Sequence, residues 1–140
     1  MNERLDALPA AYGRLADALE TLADSDRVVI VTYFDPTTGA QGVNCSYLGV
    51  RPDESAWAIE HVLLPLNAEI IAAAHRHGWM VVPGVAAAFH THGICRRPSV
   101  ERWVNLIGNG PLTGTFHPNA EGHRQIAALI TPVMNQALNP

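Results

Sequence analysis

Two histidines lie six residues apart in GTFHPNAEGH, residues 114–123, on either side of a Pro-Asn pair. The first, His117, stands where a loop meets a segment with helical periodicity. An unperturbed imidazole titrates near neutral pH, so it can take a proton from a hydroxyl group and return it to a leaving alcohol. A histidine at such a junction is more often a capping or surface residue. His123 lies further into the helical segment, and we expect it to be a surface or packing residue. His117 is thus a candidate general base whose role depends on its neighbours.

Histidine also occurs at His61 and in two His-x-His pairs, His75/His77 and His90/His92. Such a pair binds zinc when it lies on a strand, where alternate side chains share a face. His75 and His77 end a predicted helix, where the helix dipole already favours cations. We therefore expect no metal site. The alternative is a metal site in the loop, for which the pair His90/His92 is the leading candidate.

Two apolar, β-branched segments predict strands: RVVIVTYFDP at 27–36 and WMVVPG at 79–84. Unbroken runs of this kind are typical of parallel strands buried on both faces. Between them, residues 53–77 predict a helix that Asp53 caps and Gly78 closes, and that Pro65 kinks or splits. Strand, helix and strand in this order predict a parallel βαβ unit.

Helices are also predicted at 3–23 and 118–137, from apolar residues spaced by three and four. Pro9 and Pro118 suit first turns, and Asn119 suits the start of the last helix. The three tryptophans, Trp57, Trp79 and Trp103, are expected to be core or loop anchors. Of these, Trp103 could instead line an acyl pocket.

Ligands bind beyond the carboxyl ends of strands in open α/β sheets, so the loops 35–52 and 84–117 are candidates for function. Each holds one cysteine, Cys45 and Cys95, and a disulfide between them would join the two loops. Two free buried thiols are the alternative. Two strands are too few for an independent doubly wound sheet. Either a partner supplies further strands, or the chain is the C-terminal part of a larger domain.

Several segments together resemble the C-terminal half of the SGNH hydrolases, the GDSL-type esterases and lipases. They are TYFDPTTG, AWAIEHVLLPLNAEI, HGWMVVPG, the HGIC around Cys95, ERWVN and GTFHPNAEGH. The resemblance runs from about residue 5 to residue 137 and is greatest to the secreted actinobacterial branch. It implies that residues 1–140 are part of one α/β domain, a three-layer α/β/α flavodoxin-like fold with its last two parallel strands.

The same resemblance implies hydrolysis of a small-molecule or lipid ester through an acyl-serine intermediate, with His117 as base and without metal or organic cofactor. It also implies a secreted parent protein, although MNERLDALPAAYGRL lacks a secretory pattern.

The chain departs from the family pattern at two points. Gly114 stands where the family has an Asp three residues before the histidine, so a backbone carbonyl or another acid, such as Asp35, must orient the imidazole. We favour the carbonyl. The Gly-Asp-Ser nucleophile and the oxyanion blocks are missing, and none of the serines has such a setting: Ser25, Ser46, Ser55 and Ser99. Activity of this chain alone is therefore not expected.

Composition limits the possible partners. A formal charge of -4 without a basic run argues against nucleic acid. No uninterrupted apolar stretch reaches the ~18 residues of a membrane span. The rival hypothesis is a non-catalytic module that binds through the loop 84–117, or that assembles with a second copy or a complementing chain.

Overall fold

The computed structural model describes residues 2–106 and 114–139. In these ranges the chain forms α1 (Asn2–Asp6), α2 (Leu8–Leu19), β1 (Val29–Val31), α3 (Pro52–Ala58), a π-helical turn (Ile59–Leu63), α4 (Leu64–His77), β2 (Met80–Val82), α5 (Val85–Phe89) and α6 (Ala120–Leu138). Short 3-10 turns lie at Ser25–Arg27, Ala40–Gly42 and Ser99–Glu101. The mixture of helices with a parallel strand pair is compatible with the α/β class.

The two strands pair in parallel, with Val29 opposite Met80 and Val31 opposite Val82. The predicted βαβ unit is therefore present. The strands are shorter than predicted, at three residues each, and β1 is only half-buried. Within the described ranges each strand has one neighbouring strand, so its other edge lacks the ladder that would extend it.

Alternate strand residues contribute to two separate apolar clusters. On one face, Val82 packs in a core with Phe34, Phe89 and Val104, against which α6 lies. On the other face, Ile30 and Val81 pack against a second cluster. It consists of Ala16 of α2, Ala74 of α4 and Trp79. Helices thus cover both faces of the strand pair.

The predicted N-terminal helix is divided into α1 and α2, and it ends at Leu19 rather than at residue 23. Pro9 lies in the first turn of α2, where its missing N–H costs nothing. Leu22 lies beyond the helix and is 79% exposed, so the predicted apolar stripe is buried only in part.

The prediction that Asp53 caps the helix after β1 is wrong, because Arg51 is the N-cap. Pro52 occupies the first helical position, for which its fixed φ is suited. Glu54 accepts a hydrogen bond from the backbone N–H of Arg51 at 2.8 Å, so its side chain satisfies the N-cap donor as in a capping box. Gly78 ends the helix with φ of 71°, as predicted.

Pro65 does not split the helix, since α3 continues into α4 through the π-helical turn. Proline cannot donate to the carbonyl four residues earlier, and a wider turn just before it accommodates that loss.

The last helix begins at Ala120, so Pro118 precedes it. Asn119 is the N-cap, and its side chain accepts a hydrogen bond from the N–H of Gly122 at 2.9 Å. Pro118 instead pairs with Val104 in a single antiparallel bridge.

The tryptophans divide into two groups. Trp79 is buried in the second cluster, and Trp103 packs edge-on against Phe89 with ring centroids 5.3 Å apart. The expectation is wrong for Trp57, which is 47% exposed on α3.

Candidate active site at the carboxyl end of the strands

The loops that follow β1 and β2 are joined at the carboxyl edge of the strand pair. Cys45 and Cys95 form a disulfide, with Cα atoms 5.7 Å apart. Beside it the N–H of Cys95 donates to the carbonyl of Thr38 at 3.0 Å. At Gly93 an added Cβ would lie 2.6 Å from the backbone of Thr38, so only glycine permits this approach. The predicted disulfide and the predicted meeting of the two loops are therefore both present.

His117 is exposed at the end of the second loop, and its backbone carbonyl accepts a hydrogen bond from the N–H of Asn105 at 2.9 Å. Its Nδ1 lies 2.9 Å from the carbonyl oxygen of Thr115. A carbonyl can only accept, so Nδ1 carries the proton and Nε2 of the neutral ring is left as an acceptor. This is the tautomer that a general base requires.

The alternative orienting acid, Asp35, is engaged elsewhere. Its Oδ1 accepts hydrogen bonds from the N–H and the hydroxyl group of Thr37, at 2.8 and 2.6 Å. Asn44 in turn donates to the Thr37 hydroxyl at 3.0 Å. Asp35 therefore organises its own loop, and the carbonyl of Thr115 takes the place expected for an acid at Gly114.

An apolar cavity of about 400 Å³ lies between the segment 33–37, which follows β1, and the helix Pro52–His77. Its wall on the helix is formed by Ile59, Val62, Leu63 and Leu66, and Phe116 lines it from the loop that carries His117. Concave, mostly apolar sites of this volume are typical of small-molecule binding. Trp103, which could have lined an acyl pocket, is not among the lining residues.

Ser55 is the serine that lines this cavity, and it is 4% exposed in the first turns of α3. Ser46 lies elsewhere, beside the disulfide, and Ser99 lies in a 3-10 turn. Among the described residues, no hydrogen bond joins a serine hydroxyl to His117.

The segment before α6 is held by a close contact. An added Cβ on Gly122 would lie 2.2 Å from the carbonyl oxygen of Trp103, which also accepts the N–H of Asn119 at 2.8 Å. The side-chain amide of Asn119 donates to the carbonyl of Arg102 at 2.7 Å. These contacts hold the start of α6 in place. They also hold the short segment that joins His117 to α6. His123 is exposed on this helix, as expected.

Four of the other histidines have separate partners. The ring of His90 lies against Gly42, and His92 stacks on Trp103 with ring centroids 3.8 Å apart. His77 packs beside Trp79, and His61 stacks on Trp57. Residues 2–106 and 114–139 contain no group of three His, Cys, Asp or Glu residues arranged to hold a metal ion.

The continuous helix Pro52–His77 has 26 residues and contains an 18-residue window with a mean hydropathy of 1.2, so by length and composition alone it could cross a membrane. This is weak evidence, because core helices of soluble proteins pass the same test. In the described structure 11% of that window is buried, and Ile59, Val62, Leu63 and Leu66 line the cavity.

Sequence reasoning did not identify the cavity or the position of Ser55 and Phe116 at its wall. The sequence signal for this cavity was the apolar face of the helix Pro52–His77, because that face is longer than two short strands can cover. No known protein family, curated protein or solved structure matches the chain.

Proposed function

We propose that this chain is the base-bearing part of a carboxylic ester hydrolase of the SGNH type, with His117 as general base and acid. The proposal rests on the sequence resemblance and on one structural observation. The Nδ1 proton of His117 is directed to the Thr115 carbonyl, and the next residue back, Phe116, lines an apolar cavity.

In this proposal the cavity takes the acyl group of the ester. Its lining is almost entirely hydrocarbon, so it favours a chain of methylene groups over a polar substituent, at roughly 0.8 kcal/mol for each buried methylene. The substrate class is therefore a small or lipid ester with an apolar acyl part. The reaction needs no metal or organic cofactor, because the serine, the imidazole and the oxyanion donors suffice.

In this proposal, further polypeptide supplies the nucleophile and the oxyanion donors. It also adds strands beside β1, which would complete the sheet of a three-layer α/β/α fold. We expect a Gly-Asp-Ser sequence to be encoded in frame upstream of Met1 or in a neighbouring gene. The chain 1–140 alone is expected to lack esterase activity. A membrane span and nucleic-acid binding form no part of the proposal.

The decisive experiment measures hydrolysis of a nitrophenyl ester by the chain combined with the polypeptide that carries Gly-Asp-Ser. Wild type is compared with His117→Ala and with His123→Ala, a matched control at an exposed histidine of α6. We expect activity to be lost in the first variant and kept in the second. Equal activity in all three proteins would refute the role of His117.

The chain alone is measured in the same assay. Activity above background that disappears with His117→Ala would mean that the nucleophile lies within residues 1–140. Ser55→Ala would then identify it, since Ser55 is the serine at the cavity wall. Binding of a fatty acid without hydrolysis by either preparation would favour the rival role as a binding module.

A further inference from the structure

A second cavity, of about 420 Å³, is lined in part by Tyr47. The disulfide between Cys45 and Cys95 forms part of its wall, together with Tyr47, Arg97 and Arg102. Tyr47 packs edge-on against Phe116 with ring centroids 6.0 Å apart, and its hydroxyl donates to a backbone carbonyl at 2.6 Å. The second cavity therefore has a fixed aromatic wall and two guanidinium groups.

Arg102 is only 9% exposed. Its Nε donates to the backbone carbonyl of Arg96 at 2.9 Å, and the described residues offer no acceptor to its two terminal nitrogens. Glu101 does not neutralise it, because that carboxylate pairs with the side chain of Arg96. Burial lowers the pKa of Arg102, and the positive charge of Arg97 lowers it further.

Five other arginines form ion pairs with Asp or Glu: Arg27, Arg51, Arg76, Arg96 and Arg124. Among the described residues no carboxylate pairs with Arg97 or Arg102, and residues 107–113, IGNGPLT, contain no Asp or Glu. A buried cation is costly unless it is paired. An anion in the cavity would relieve both the desolvation of Arg102 and its repulsion by Arg97.

We propose that this cavity binds a small organic oxyanion, whose carboxylate or phosphate group pairs with Arg97 and Arg102. The planar guanidinium presents two parallel N–H groups, which match the oxygen atoms of either group. The apolar part of the ligand lies against Ile94, Leu106 and the disulfide, which line the rest of the cavity. This site does not depend on ester hydrolysis, since none of its residues belongs to the proposed catalytic machinery.

Binding is tested by calorimetry on the oxidised chain at neutral pH, with phenyl phosphate and benzoate as anionic probes and benzyl alcohol as the neutral one. We expect heat of binding from at least one anion, weakened by added sodium chloride, and none from the alcohol. Arg97→Gln is expected to weaken that binding by about tenfold or more, as for the loss of one charged hydrogen bond. Arg14→Gln is the matched control, because Arg14 is exposed on α2 and has no ion pair among the described residues; it should bind as wild type does.

Arg102→Gln should abolish binding, but its burial means that it can also impair folding. Arg97 is exposed, so its variant keeps the test valid in either case. Equal binding by Arg97→Gln and Arg14→Gln would overturn the proposal, as would equal binding of the neutral alcohol. Inorganic phosphate that binds as tightly as phenyl phosphate would overturn the organic nature of the ligand.

Discussion

Removal of the disulfide should destabilise the chain through its unfolded state. The double variant Cys45→Ser/Cys95→Ser opens a loop closed across a sequence separation of 50. The chain-entropy relation gives roughly 14 cal/mol/K for a loop of this length, or about 4 kcal/mol at 25 °C. Because domains of this size are stable by only about 5–15 kcal/mol, such a loss is a large fraction of the whole.

The native structure should change little. The N–H of Ile94 still donates to the carbonyl of Pro36 at 2.8 Å, and that of Cys95 to the carbonyl of Thr38 at 3.0 Å. These bonds join the two loops without the sulfur atoms, so the effect should come from the greater freedom of the unfolded chain.

Urea unfolding followed by the fluorescence of the three tryptophans, of which Trp79 is buried, measures the effect. We expect a lower midpoint and a larger dependence of the unfolding free energy on urea, since an opened chain exposes more surface. Wild type reduced with a thiol is the control and should coincide with the double variant. A loss below about 1 kcal/mol with an unchanged urea dependence would refute the loop-closure argument.

Three further outcomes are expected. Phe89→Ala should cost about 3–5 kcal/mol in thermal or urea unfolding, because Phe89 is fully buried, whereas Val100→Ala, at an 85% exposed position, should cost almost nothing. Asn119→Ala should cost about 1–2 kcal/mol by removing the N-cap of α6, and a variant as stable as wild type would contradict the capping role. Hydrogen bonds from Arg124 and Gln125 lower the pKa of Glu121 to about 2, so its contribution to stability is present above pH 4.5 and is lost as the pH falls towards 2. Carboxyl NMR should show this pKa rising towards 4.5 in Arg124→Gln, and an unchanged value would exclude the pair as its cause.

The βαβ unit could be predicted because apolar runs and helical periodicity report burial directly. The lengths of the strands could not, because a run such as RVVIVTYFDP does not reveal how many neighbouring strands offer hydrogen bonds. β1 accordingly keeps only Val29–Val31 of the ten residues predicted.

Helix starts were predictable where one side chain decides the geometry, as at Asn119. At the start of α3 two neighbours compete, and Pro52 with Glu54 moves the N-cap to Arg51. The presence of an Asp near the start of α3 therefore does not by itself identify the N-cap.

Because the acid is missing from its expected position, the sequence favoured a backbone carbonyl as the group that orients His117. A backbone carbonyl is the hydrogen-bond partner of its imidazole. Its catalytic role stays a prediction. The two cavities could not be predicted, because each is formed by residues distant in sequence, as Phe116 and Leu66 are in the first. The loop 84–117 of the rival hypothesis includes residues 107–113, which lie outside the described ranges.

The π-helical turn Ile59–Leu63 sets the rotational phase between α3 and α4. A π-turn contains one residue more than an α-turn, and one residue corresponds to about 100° around a regular helix. Deleting a residue in this turn would restore a regular helix and rotate α3 by that angle relative to α4. Ser55 would then turn away from the cavity while Leu66 stayed in place. The number of residues between them, rather than their identity, thus determines whether both line one cavity.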